Sequence, residues 1–194
     1  MKRSAEDTAK TRVALLEAAL MSFEEKGWRG ATFEHVADRA GLTRGALHHH
    51  FRSKAVLLTE ALEWGWSEHG NRLFERDAMP SDAEDWLCTL LCEFVTLLRR
   101  DERFRALAYT TVLVAPQALD DSSRKHEALG AWRDEITKSL SDRTGLPMPA
   151  ETAAGLVLVL IQGFTVTAVT RPHDLPQPEH VHAAAAALVR GLLS

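Results

Sequence analysis

Thr32-Phe33-Glu34-His35-Val36-Ala37-Asp38-Arg39-Ala40-Gly41-Leu42-Thr43-Arg44-Gly45-Ala46-Leu47-His48-His49-His50-Phe51-Arg52-Ser53-Lys54 sets two short helical segments on either side of one glycine. Thr32 precedes barely two turns, Phe33 to Ala40, and Thr43 precedes a second short segment, Arg44 to His50. A threonine oxygen accepts from the free amides of a helix start, so both threonines are expected to cap. Gly41 is expected to turn the chain between the segments. Phe51-Arg52-Ser53 then breaks the second segment, and Ser53 is placed to cap a long helix from Lys54 to about Arg76. Ala37 is small enough for close approach, and Val36, Ala40, Leu42 and Leu47 are placed to pack the pair on a preceding helix. This is the layout of a helix-turn-helix, whose second helix enters the major groove.

The preceding helix reads Thr11 to Lys26, with Leu15, Leu16, Ala18, Ala19, Leu20 and Phe23 on its apolar side and Gly27 as a stop. Beyond residue 76, helices are expected over about Asp82–Arg100, Glu102–Val114 (stopped by Pro116), a polar stretch from Asp120 to about Thr144, Ala150–Thr170 and Glu179–Leu193. Met79-Pro80-Ser81, Gly145-Leu146-Pro147-Met148-Pro149 and the proline-rich run from Arg171 to Pro178 are the breaks. The 194 residues include 28 Ala and 27 Leu against 12 Val and 2 Ile, so helix formers outweigh strand formers. No stretch alternates with period two. The expected fold is all-α, about nine helices: an N-terminal three-helix module with the helix-turn-helix, then a C-terminal helical bundle.

Charge divides the chain in the same place. Net charge is -4, which alone argues against a nucleic-acid partner. Residues 1–54 carry ten Lys/Arg and seven Asp/Glu, a net of +3, and residues 55–194 carry -7. Two modules with different partners are expected, 1–54 and 55–194. Two cysteines, Cys88 and Cys92, make no disulfide framework, and no apolar run follows Met1-Lys2-Arg3. A cytoplasmic protein is expected. The apolar run from Ala153 to Val169 is interrupted by Gln162, Thr165 and Thr167 and falls short of the ~20 residues of a membrane span, so a buried bundle helix is expected and no membrane partner.

The stretch from Thr32 to Lys54 resembles the DNA-binding region of the TetR family of transcriptional regulators, and Thr11-Arg12, Ala18-Ala19, Phe23 and Gly27-Trp28 resemble that family's first helix. The likeness is specific over about the first 60 residues; beyond them it rests on helix order and length. It implies double-stranded operator DNA as partner, with Thr32 and Thr43 at helix starts near DNA and Arg44, Gly45 and Ala46 at the exposed start of the recognition helix. Arg44 is the best base reader, since arginine can take guanine O6 and N7 together, worth ~1–3 kcal/mol in discrimination. His48 and His50 would face the backbone, and Lys54 would present an ammonium to phosphate at a helix start. The chain departs from the family at His48, where a tyrosine is usual, and at Glu34, where some members place a basic base reader. A carboxylate there would repel phosphates, so Glu34 is expected to point away or to face cytosine.

The resemblance also implies a homodimer through the last two helices, about 150–170 and 179–193, a near-palindromic operator, and a small-molecule effector held in the second module. Ala153-Ala154-Gly155 and Ala183 to Ala187 offer small residues for helix approach, and Leu156, Val157, Leu160, Ile161, Phe164, Leu188, Val189 and Leu192 offer apolar area. Candidate effector residues are Trp64, His69, Trp86, Phe94, Tyr109, Trp132 and Gln162, aromatic walls with a few polar groups. Asn71, Phe74, Thr110 and Thr165 join the wider set. Each aromatic also reads as core. The functional reading is a repressor released from DNA by its effector.

Other chemistries are poorly supplied. Three consecutive helical histidines, His48-His49-His50, point about 100° apart and do not converge on one metal ion. Cys88 and Cys92 share a helix face but have no third thiol, and read as small buried residues. No GxSxG, P-loop, GxGxxG, HExxH or CxxC occurs, so neither an enzyme nor a cofactor protein is expected.

Overall fold

The structure, a computed structural model, describes residues 5–70, 73, 82–118, 127–141 and 143–194. Asn71, Phe74, the expected end of the fourth helix at Arg76, the Met79-Pro80-Ser81 loop and the start expected at Asp120-Asp121-Ser122 lie outside the described residues. Every regular element among the described residues is helical. The chain forms two compact units, Met1–Gly70 with Ala106–Asp121, and Asn71–Arg105 with Ser122–Ser194.

In the first unit, α1 spans Ala5–Gly30, α2 Phe33–Arg39, α3 Arg44–His50 and α4 Lys54–Gly65. The α1 start lies ahead of the expected Thr11. Glu6 and Asp7 occupy its first turn, where carboxylates suit the helix dipole, and Lys10 pairs with Glu6 at 2.7 Å. Gly27 does break the helix, at φ 65°, but the chain takes one further turn to Gly30. α4 is α-helical only to Gly65, then widens into a π-helical turn over Trp66–Gly70.

Three helix starts are capped as their sequences predict. Thr32 accepts from the His35 amide, Thr43 from the Ala46 amide and Ser53 from the Val56 amide, each at 3.2 Å. The end of α2 closes equally locally: the Leu42 amide donates to the Ala37 carbonyl at 2.9 Å and the Gly41 amide to the Asp38 carbonyl at 3.0 Å. This is the Schellman arrangement, which needs a left-handed residue, and Gly41 supplies it at φ 67°. A Cβ at Gly41 would meet no atom within 4 Å, so Gly41→Ala isolates the backbone cost. The expected loss is about 1–2 kcal/mol, read by denaturant melts, with Gly41→Asn losing less.

The core of this unit is continuous. Leu15, Ala19 and Phe23 of α1, Val36 and Ala37 of α2, Leu47 of α3, Phe51, and Leu57, Leu58 and Ala61 of α4 are all fully buried. Ala40 and Leu42 pack on it half-buried. Since α4 packs on α1 inside this unit, the 54/55 boundary separates charge and does not separate packing.

α6 spans Glu102–Tyr109 and runs through a π-helical turn, Thr110–Val114, into Ala115–Ala118. Pro116 therefore does not stop it. Proline lacks an amide and clashes with the carbonyl four residues back; the π-helical register, with the Ala115 amide on the Thr110 carbonyl, widens the helix just ahead of the ring.

In the second unit, α5 spans Ala83–Arg100, α7 Glu127–Ser141, α8 Ala150–Thr170 and α9 Val181–Leu193. Asp82 caps α5 by accepting from the Glu84 and Asp85 amides. α9 packs along α5, and α8 packs on both α5 and α7. By length and composition α8 could cross a membrane, as its expected 17-residue core alone could not. It is sided, however: Ala153, Ala154, Val157, Leu158, Ile161, Thr165 and Ala168 are buried within the unit. Ala153, Ala154, Val157 and Ile161, together with Val189 of α9, are thus core residues and not the outward apolar surface expected of them. That surface is formed by Leu156, Val159 (61% exposed), Val169 and Leu188.

Candidate nucleic-acid interface

Both short helices begin at capped threonines on the surface of the first unit, and Gly41 sets the angle at which α3 leaves α2. The start of α3 is open: Thr43, Arg44 and Gly45 are exposed and Ala46 is half-buried, while Leu47 anchors the helix in the core. Gly45 and Ala46 carry little side chain, so the backbone there can come close to a partner surface.

Arg44 is not a free cation. Its Nη1 lies 2.6 Å from Glu34 Oε1 on α2, and its Nε donates to His48 Nε2 at 3.3 Å, one turn on. Glu34 therefore faces Arg44 rather than pointing away. Its carboxyl is held below the usual range, first by its own backbone amide, then by Arg44, with the Thr32 hydroxyl and His48 adding to it. His48 is exposed, and its ring is tilted on Phe33 at 4.7 Å. His50 is half-buried, and its ring packs edge-on to His49 and beside Phe51. Among the described residues no three His, Cys, Asp or Glu side chains form a metal site.

Lys54 stands at the first position of α4, but its ammonium turns back. Nζ donates to the Trp28 carbonyl and sits 4.3 Å from the Trp28 ring centroid, and burial pushes it below the ordinary lysine value. An ammonium has three donors, so two are left for a phosphate. Two contacts had no local sequence signal. Arg12 pairs with Glu60 of α4 and lies over the Phe51 ring at 4.8 Å, pinning α1, the end of α3 and α4 together. Arg39 pairs with Glu25, whose carboxyl is lowered mainly by the Lys26 ammonium, tying α2 to α1.

The candidate effector residues divide between the units. In the first, the rings of Trp64 and His69 meet edge-on at 5.7 Å, and Tyr109 is half-buried. Trp66 Nε1 donates to Thr111 Oγ1 at 3.0 Å, joining the two π-helical turns. Among the described residues, His69 Nε2 and Thr110 Oγ1 are buried with no hydrogen-bond partner. In the second unit, Trp86, Phe94 and Trp132 are buried, with the Phe94 and Trp132 rings edge-on at 6.0 Å. Gln162 is only half-buried, so its amide is not sealed from water. Thr165 is buried but donates to the Ile161 carbonyl of its own helix. Burial and nearby carboxylates push the Cys88 thiol up; burial and Cys88 do the same to Cys92, so neither is primed as a thiolate.

A family model for bacterial regulatory proteins of the tetR family matches residues 15–61, which takes in α2, α3 and most of α4. The chain is 32% identical over 133 residues to the HTH-type transcriptional repressor AcnR of Corynebacterium diphtheriae, covering 64% of this chain and 70% of that protein. A transcriptional regulator from Rhodococcus sp. Rha1, solved by crystallography, superposes with a TM-score of 0.74 at 26% identity, covering 93% of this chain and 95% of that one. FadR of Bacillus subtilis, crystallised with stearoyl-CoA, shares the fold at a TM-score of 0.76 and 19% identity, over 94% and 97% of the two chains. Such proteins regulate transcription and are not enzymes. By its capped helix pair, its exposed Arg44 and its likeness to AcnR over most of that protein's length, this chain belongs to the TetR family of DNA-binding transcriptional regulators.

Proposed function

We propose that the chain is a cytoplasmic repressor that binds a near-palindromic operator as a two-fold dimer and leaves it when a small molecule binds. The observation that carries the DNA half is Arg44, exposed at the first position of α3. In this reading residues 1–54 bind DNA and 55–194 sense the effector. Thr32, Thr43, Gly45 and Ala46 bring the helix starts close to the duplex, Arg44 reads a base, and His48, His50 and Lys54 face the backbone. Selecting binding sites from a random duplex pool tests this: a palindrome is expected, and unrelated recovered sequences would overturn it.

Phosphate contacts position and base contacts specify. Lys54→Ala should therefore weaken all duplexes about equally and reduce the slope of log affinity against log salt by roughly one. A changed base preference with an unchanged slope would refute the phosphate role.

The dimer is supported by the outward apolar side of α8, Leu156, Val159 and Val169, with Leu188 of α9. A two-fold interface uses the same patch on both copies, so one substitution acts twice. Val159→Asp should convert the protein to monomer in sedimentation and cost operator affinity; a dimer of unchanged strength would rule this surface out. The effector half is supported by His69 Nε2 and Thr110 Oγ1, since buried polar groups ordinarily have partners. The acyl-CoA in FadR supports a ligand for this fold. A ligand shifts the equilibrium only by its differential affinity for the DNA-free state. A small molecule shown by calorimetry to bind, yet leaving operator affinity unchanged, would count against release.

A further inference from the structure

Glu34 and Arg44 are both exposed, at 51% and 62% of their side-chain surface, and an exposed ion pair adds little to stability. The fold does not require the pair, and a carboxylate facing a polyanion weakens binding unless it meets a donor. A paired acceptor and donor can recognise a paired donor and acceptor. In the major groove a G·C pair presents guanine O6, an acceptor, beside the cytosine N4 amino group, a donor. Those two atoms are themselves joined by an N–H···O bond and so lie about 2.9 Å apart. Glu34 Oε1 and Arg44 Nη1 offer the complementary pattern at 2.6 Å.

The donors of the guanidinium match this use. Nε is occupied by His48, which holds the group in place. Nη1 has two hydrogens, one for Glu34 and one for guanine O6, and Nη2 is left for guanine N7. We propose that Glu34 is a specificity-determining residue: with Arg44 it forms one reading unit for a single G·C pair, its carboxylate accepting the cytosine N4 amino group while the guanidinium takes guanine. The inference rests on the reading of Arg44 given above. It also orders the alternatives. A T·A pair in the same orientation keeps the acceptor and donor, through thymine O4 and adenine N6, but puts a methyl group where N7 would be, so it ranks second. The reversed pairs, C·G and A·T, set donor against guanidinium and acceptor against carboxylate, and rank last.

The test uses the full chain with Glu34→Gln, Arg44→Ala and the double variant. Arg44→Ala first locates the operator position at which preference relaxes. Affinities are then measured for the four base pairs at that position. The wild type is expected to rank them G·C, T·A, then the reversed pairs. A glutamine amide both donates and accepts, so Glu34→Gln should cut the G·C over C·G ratio about tenfold while random duplex binds more tightly. The double variant should lose no more selectivity than Arg44→Ala, because the two act as a unit. Circular dichroism melts identical to wild type would confirm that the exposed substitution leaves the fold intact. If Arg44→Ala relaxes a position but Glu34→Gln keeps the wild-type ratio within about twofold, the inference fails and the Arg44 reading stands. If Arg44→Ala relaxes no position, the Arg44 reading fails first.

Discussion

Phe51→Ala is expected to destabilise the protein by about 3–5 kcal/mol, a large share of the roughly 5–15 kcal/mol that holds a typical domain together. Phe51 is fully buried at the end of α3, in the core shared by α1, α2, α3 and α4. Its removal leaves a cavity and also takes away the ring over which the Arg12 guanidinium lies at 4.8 Å. Arg12 would keep its Glu60 partner but lose its packing surface, so α1, α3 and α4 loosen together. At about 2–4 °C per kcal/mol for a chain of this size, the midpoint should fall by roughly 6–20 °C. Operator binding should fail with it, because α3 has no anchor in the core other than Leu47 among its own buried residues. Phe51→Leu refills part of the space and should recover part of the loss. An unchanged melting point for Phe51→Ala would mean that the head is not held together as described.

Arg44→Ala is expected to have the larger effect on function and almost none on the fold. The side chain is exposed and its two contacts are at the surface, so the melt should match wild type. Discrimination at one base pair should fall by about 1–3 kcal/mol, and because the proposed dimer presents two recognition helices, the loss applies in both half-sites. The variant also leaves Glu34 with no cation beside it, so random duplex should bind somewhat less well than to wild type. Competition binding against single-position operator variants reads both effects. Uniform weakening at every position, with no preference relaxed, would reassign Arg44 to the phosphates.

The parts of the head legible in the sequence are those governed by neighbours. Thr32, Thr43 and Ser53 each cap an amide three residues away, and Gly41 closes α2 through bonds that span no more than five residues. Such features depend on residue type and local spacing, which a sequence displays directly. The internal periodicity of α1 and the burial of Val36, Ala37 and Leu47 follow from the same short-range pattern. The partners of the cations were harder to read. Glu34 and Arg44 lie on different helices, Lys54 is held by Trp28 from 26 residues away, and Arg12 by Glu60 from 48. No helical spacing marks such pairs.

The amino-acid sequence by itself determined that the chain is helical, where its DNA-binding pair begins and ends, and that Arg44 opens the second helix, because caps, turn glycines and apolar periodicity act over a few residues. The tertiary structure decided what those residues face. It set Glu34 against Arg44, turned Lys54 toward Trp28, carried α6 past Pro116 by a π-helical turn, and chose which side of α8 is core and which is exposed. The net charge of the first module favours attraction to DNA in general; the base-pair choice proposed above rests instead on the placement of one carboxylate beside one guanidinium, which only folding brings about.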